Sequence, residues 1–217
     1  MVRTVQNAAK AVEGNRTAID AFSGRIQSGE AAAFEATYTT TGTAPATVIY
    51  AVDPPDDLAF SDTPSASAGG STHVIVNSSG SYTCSPPTST QSTWACQPHG
   101  APGSISSAAE DPILDLYTPS HWVAFLKGLS LAAGLAGDTV SRSTMTVNGF
   151  ALQCVDLVVP GTVGTNTICT TDKDILGYVK VASSDTSFAI SSYTSSPPAS
   201  VFALPPGATV ARVSATS

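Results

Sequence analysis

The chain has 217 residues, of which only 12 % are charged, and a net charge of −7 with an isoelectric point near 4.6. Its nine Lys and Arg are scattered from Arg3 to Arg212 without a cluster. That excludes nucleic acid, which needs a basic surface to displace counterions from phosphates, and disfavours an anionic membrane surface. The length suits one large β-rich domain or two small ones; one is expected, burying roughly 70 % of its unfolded surface without help from metals.

The first element is a helix from about Thr4 to Ser28, with Val5, Ala8, Ala9 and Val12 on one stripe and Ile19, Phe22 and Ile26 continuing it, and Gly29 as its stop. No apolar leader precedes it, and a trimmed leader or anchor region with an added Met1 is the expectation. AFEATYTTTG then alternates Phe34, Ala36 and Tyr38 against Glu35, Thr37 and Thr39, the period of a strand with one dry face. ATVIYAV is a second strand. A turn at Asp53-Pro54-Pro55-Asp56-Asp57 leads to LAFSD as a third, and a polar loop follows from Thr63 to Thr72.

HVIVN and SYTCS read as a hairpin around Ser78, Ser79 and Gly80, with STWACQP as the next strand. From about Ile105 to Gly137 the texture becomes helical, broken by Pro112 and Pro119. Trp122, Phe125, Leu126 and Leu129 are spaced as one apolar stripe, and Asp115 or Ser120 suits an N-cap. The longest apolar stretch, Trp122 to Leu135, is interrupted by Lys127, Gly128 and Gly134 and is too short to span a bilayer. TMTV and FALQCVDLVV flank Asn148-Gly149, a strong signal for a type I′ hairpin. NTICTT, ILGYVKVAS and SFAISSYTSS extend a meander, and SVFALPPGATV closes the chain with Phe202 and Leu204 before a Pro-Pro stop. Two β runs around a helical insertion at about 105–137 predict one curved sheet with a helix-covered face.

Four cysteines fall as Cys84 with Cys96 and Cys154 with Cys169. Three connectivities are possible; local pairing is the simplest, since each pair brackets a turn between strand-like runs. Disulfides require an oxidising compartment, so export is expected. Zinc does not fit these spacings. Tyr82 shares a strand face with Cys84, and Trp94 with Cys96, which predicts an aromatic pair supporting the first bridge.

The order of FEATYTTTG, TVIYAVDPPDDLAF, HVIVNSSGSYTC with TWAC, the helical middle, NGFALQC with NTICTT, and the closing PPASVFALPPGA resembles the LolA-like fold, in particular the actinobacterial lipoproteins related to LppX and LprG, over about Gly29 to Val210. The resemblance implies a mainly β (α+β) architecture. An unclosed antiparallel β half-barrel wraps a helical lid, with residues 1–29 as a packing helix and 29–217 as a single domain. It also implies a cavity for a lipid or lipidated protein, in a monomer that is secreted or membrane-anchored, with a membrane-bound envelope partner as a further possibility. The expected lining is Phe34, Tyr38, Val48, Tyr50, Val52, Leu58, Phe60, Val74 and Val76 from the strands and Trp122, Phe125, Leu126 and Leu129 from the lid. A fully packed core is the alternative reading of the same residues. Two departures stand out: positions 34–60 contain no Arg to latch a lid, and the anchor cysteine of the mycobacterial relatives is absent.

No catalytic constellation is evident. His73, His99 and His121 lie in no nucleophile or metal motif, and no G-x-S-x-G, H-E-x-x-H or Walker loop occurs. No cofactor is implied and no enzymatic activity is expected. Asp53, Asp56 and Asp57, like Asp172 and Asp174, read as solvated turns, and Asn15-Arg16-Thr17 and Asn77-Ser78-Ser79 as chance glycosylation triplets. A ligand-free interaction or sensing module with the same fold is the rival to the carrier.

Overall fold

The computed structural model describes residues 2–42, 45–65, 71–100, 114, 116–136, 139–159, 161–182 and 184–211; side chains are described for all of these except 2–11, 100 and 129–136. In chain order the main elements are α1 (Val2–Glu30), β1 (Phe34–Thr41), β2 (Ala46–Asp53), β3 (Asp57–Pro64), β4 (Thr72–Asn77), β5 (Gly80–Ser85), β6 (Ala95–Gly100), α2 (Pro119–Ala136), β7 (Thr139–Val147), β8 (Phe150–Val158), β9 (Asn166–Thr170), β10 (Leu176–Lys180), β11 (Ser187–Thr194), a 3-10 turn (Ala199–Phe202) and β12 (Thr209–Val210). The strand order is β12-β6-β5-β4-β3-β2-β1-β11-β10-β9-β8-β7, so the sheet is unclosed. Pairs from β1–β2 to β5–β6 and from β7–β8 to β10–β11 are antiparallel, while β12 lies parallel to β6. The chain divides into two compact units: Met1–Ala31, Thr41–Thr43 and Thr118–Ile190 form one, and Ala32–Thr40, Ala44–Tyr117 and Ser191–Ser217 the other.

In the unit holding β2 to β6, alternation fixes two faces. Register places Phe34, Val52, Leu58 and Val76 in one cross-strand row and Ala36, Tyr50, Phe60 and Val74 in the next. All eight are at most 5 % exposed. Tyr117 packs its ring on Tyr38 and Phe60, with centroids 5.8 and 5.6 Å away. The opposite face is also dry. Ala51 and Ala59 are covered by Phe202 and Val201, and Ile75, Tyr82 and the first bridge by Trp94, Leu204 and Ala208. The closing segment is therefore a cover for the sheet, where the sequence suggested only a stop. Asn77 ties it down, donating from Nδ2 to the Phe202 carbonyl at 2.8 Å while its Oδ1 accepts the Ser79 N–H; the glycosylation triplet is thus part of a turn. The expected loop from Thr63 begins later, since β3 runs to Pro64, and residues 66–70 lie outside those described.

In the other unit α1 packs on α2 and approaches β7. Ile19, Phe22 and Ile26 are buried as the stripe predicts, whereas Val12 is exposed. Gly29 does not stop the helix, which continues to Glu30. It is needed for closeness: a Cβ there would collide with the backbone carbonyl of Asp174 in the β9–β10 turn. Arg25 fixes that turn, its Nε donating to Asp174 Oδ1 at 2.6 Å, Nη2 to the Thr171 carbonyl at 3.0 Å and Nη1 to Gln153. Pro119 opens α2 instead of interrupting a helix, the position where its missing N–H costs nothing. Ser120 therefore sits inside the first turn and is no N-cap; it donates to the Glu30 carboxylate. Burial pushes the Glu30 carboxyl above its usual range, and the Ser120 bonds hold it back. Asp115 and the residues from 105 to 113 lie outside those described.

Asn148 and Gly149 take φ of 50° and 86°, the type I′ turn expected between β7 and β8. Both cysteine pairs are bridged locally, Cys84–Cys96 and Cys154–Cys169. Each joins residues facing one another on adjacent strands.

Two glycines of α1 separate close approach from ordinary helix propensity. Gly29→Ala meets backbone atoms that cannot yield, so urea denaturation should show a loss of about 1–3 kcal/mol. Gly24→Ala enters open space and should gain about 0.5–1 kcal/mol.

Candidate functional site

The structure gathers the nine strand residues expected to line a cavity. Phe34, Tyr38, Val48, Tyr50, Val52, Leu58, Phe60, Val74 and Val76 share one face of β1 to β4, all at most 5 % exposed. Their rings pack on one another and on neighbours. Phe34 lies 5.9 Å from Tyr50 and 6.4 Å from Tyr193, centroid to centroid. Burial, with the nearby oxygens of Tyr50 and Tyr117 adding to it, drives the Tyr38 phenol far above its ordinary value, and burial with Asp62 does the same to Tyr117. Both hydroxyls stay neutral at any physiological pH. Of the helical residues, Trp122 and Leu126 are buried and Phe125 half-buried. Trp122 packs on Phe125 at 5.6 Å and Phe188 at 6.3 Å. The Leu129 side chain lies outside the described residues.

Two open clefts of about 310 Å³ each occur among the described residues. The first is lined by Ala18, Ala21, Phe22 and Arg25 of α1 and by Arg142 to Thr144 and Gln153 to Val155 of the β7–β8 hairpin. Its floor is apolar and its rim carries two guanidinium groups. Arg25 is engaged by Asp174, Thr171 and Gln153; Arg142 is exposed and makes no hydrogen bond or ion pair with a described residue. Ser143 points away from this face, its hydroxyl on the Asp156 carboxylate, which also accepts from Thr167. The sequence offered no signal for this cleft beyond Arg25 falling one turn after Phe22.

The second cleft lies in the other unit, between the outer face of β2 to β4 and the closing segment. Ile49, Ser61, His73, Ile75 and Trp94 line one side, and Val201, Ala203, Pro205 and Pro206 the other. The His73 and Trp94 rings meet edge-on at 4.6 Å, so Trp94 supports more than the bridge. Burial lowers the His73 pKa. His121 meets Trp122 edge-on, and His99 is exposed. Asp53 and Asp56 are exposed on the cis Pro54-Pro55 turn; slight burial and their charges raise the Asp57 carboxyl. Among the described residues no group of three or more His, Cys, Asp or Glu is placed to hold a metal ion.

His73 gives the fold a pH dependence of definite sign. Its folded value lies below the ordinary 6.5, so between the two the unfolded chain binds the extra proton and stability falls as pH falls. The urea midpoint should decline as pH drops from 7.5 through 6.5, level off below the folded value, and lose this component in His73→Phe. An unchanged profile in the variant would remove His73 from the account.

No protein-family model matches the chain, and no curated protein sequence matches it. Among solved structures it is similar to MucB, with a TM-score of 0.50 at 8 % identity over 88 % of this chain and 64 % of that one. A structure of MucB in complex with MucA(peri) gives 0.49 at 9 % identity over 89 % and 62 %. The chain thus spans less than two thirds of the length of these MucB chains. At such identity the likeness speaks to architecture alone. The fold class is mainly β, an unclosed and mostly antiparallel sheet with two α-helices among the described residues, of the LolA-like kind. No helix among the described residues is long and apolar enough to cross a membrane.

Proposed function

We propose that the chain is a non-enzymatic binding module that works outside the cytoplasm and engages a polypeptide partner at its surface. The observation that carries this reading is the state of the apolar strand face: its residues are buried, and the Tyr117 ring packs on Tyr38 and Phe60. Two open concavities among the described residues lie elsewhere. At about 310 Å³ each, they sit at the low end of small-ligand pockets, roughly 300–1,000 Å³, with room for a few side chains. Two formed disulfides support an oxidising compartment.

The rival is carriage of a lipid or acylated protein, as kinship with the LppX and LprG lipoproteins would favour. It draws on the same apolar face and requires those side chains to part. Native mass spectrometry of periplasmically expressed protein, followed by organic extraction, decides between them. The module reading expects the bare polypeptide mass and no stoichiometric acyl lipid. One bound acyl lipid per chain, or saturable uptake of a fluorescent fatty acid, would transfer the assignment to the carrier.

A further inference from the structure

We propose that the free edge of β7 and the cleft beside it form a docking site for an extended, acidic peptide strand. This rests on the reading of the chain as a polypeptide-binding module and says where in its own unit the partner sits.

Among the described residues β7 ends the strand order and has a strand neighbour on one side only, β8. The nine-residue register is unbroken, from Thr139 opposite Val158 to Val147 opposite Phe150. Edges of this length invite pairing with another chain, and proteins blunt them with Pro, Lys, bulges or a cover. β7 has none of the first three. By contrast, β6 contains Pro98 and is covered by β12, with the N–H groups of Thr209 and of Ala211 just beyond it bonded to the Trp94 and Cys96 carbonyls.

Ladder parity says which groups are free. A two-residue Asn148-Gly149 turn makes Val147 and Phe150 a hydrogen-bonded pair. Hence Met145, Ser143 and Ser141 also turn their N–H and C=O toward β8, while Thr146, Thr144, Arg142 and Val140 turn theirs outward. The second bridge checks this independently. Cys154 faces Ser143 and gives its backbone bonds to β7, which leaves Cys154 and Cys169 as a non-hydrogen-bonded pair; their Cα atoms are 4.0 Å apart, the narrow spacing such pairs have.

Arg142 and Thr144 face Val155 and Gln153 across the hairpin and line the cleft with them. Of the four residues that turn their backbone groups outward, Arg142 and Thr144 are the two that also line the cleft. A strand added here takes main-chain bonds from the edge and reaches side chains into an apolar floor of Phe22, Ala18 and Val155. Charge selects its composition: Arg25 is compensated by Asp174, whereas Arg142 has no ion pair with a described residue. The residue opposite Arg142 is accordingly Asp or Glu.

The test uses the full, oxidised chain and a synthetic nine-residue peptide alternating Asp and Val on one face with Thr on the other. Controls replace Asp by Lys, or every second residue by Pro. Amide exchange read by NMR should slow at least about tenfold at Val140, Arg142, Thr144 and Thr146 on adding the acidic peptide, with Ser141, Ser143 and Met145 unchanged. Arg142→Glu should weaken binding about tenfold or more and shift preference to the Lys peptide. Thr144→Pro removes only an outward N–H and should abolish binding with the circular dichroism spectrum intact; if that variant does not fold, the Arg142→Glu reversal still decides. Absent or uniform protection, equal binding of the Lys peptide, or a sedimentation dimer dissolved by Thr144→Pro (a second copy on the edge) would each overturn the proposal. Failure here with no lipid extracted sinks the docking site alone, whereas acyl lipid together with alternating protection sinks the module reading and leaves the docking site standing.

Discussion

Everything in the strand-rich unit depends on a two-sided constraint: the central strands are dry on both faces, so something must cover each. Alternation sends Phe34, Tyr50, Phe60 and Val74 one way and Ala51, Ala59 and Ile75 the other. Burying a large apolar side chain is worth roughly 1.5–3 kcal/mol, so leaving either set wet would consume much of a domain's net stability. On the first face Tyr117 packs on Tyr38 and Phe60, and the segment from Val201 to Ala208 covers the second. Small side chains on the outer face are what let that segment approach.

A parallel logic governs the helical unit. There the contact is polar and local: one arginine spans helix, hairpin and turn, and a glycine removes the Cβ that would hold them apart. Asp174 adopts a left-handed φ of 62° at the point of contact. The charge it supplies pairs Arg25, whereas Arg142, at the same cleft, has no ion pair with a described residue. Packing and electrostatics thus arise from the same three residues.

Strand positions were legible because period two and turn chemistry are local: Phe34-Ala36-Tyr38 and Asn148-Gly149 needed no tertiary information. Disulfide partners followed from spacing for the same reason. What escaped the sequence is set by long-range contact. Gly29 reads as a helix stop, yet its role is defined by Asp174, far along the chain. Pro119 reads as a breaker and acts as a first residue. Phe202 and Leu204 read as the apolar residues before a Pro-Pro stop and serve as a cover. Neither cleft was visible, since each is bounded by segments whose juxtaposition no local pattern encodes.

Each unit carries its own bridge, spanning 12 and 15 positions, and neither bridge joins one unit to the other. For a chain threaded N-terminus first through an export channel, every cysteine meets its mate before the next pair emerges. Loops that short close with little entropic penalty, and at the moment each pair forms no competing thiol is present. Oxidative maturation can therefore keep pace with translocation, with little need for an isomerase to correct misjoined sulfurs.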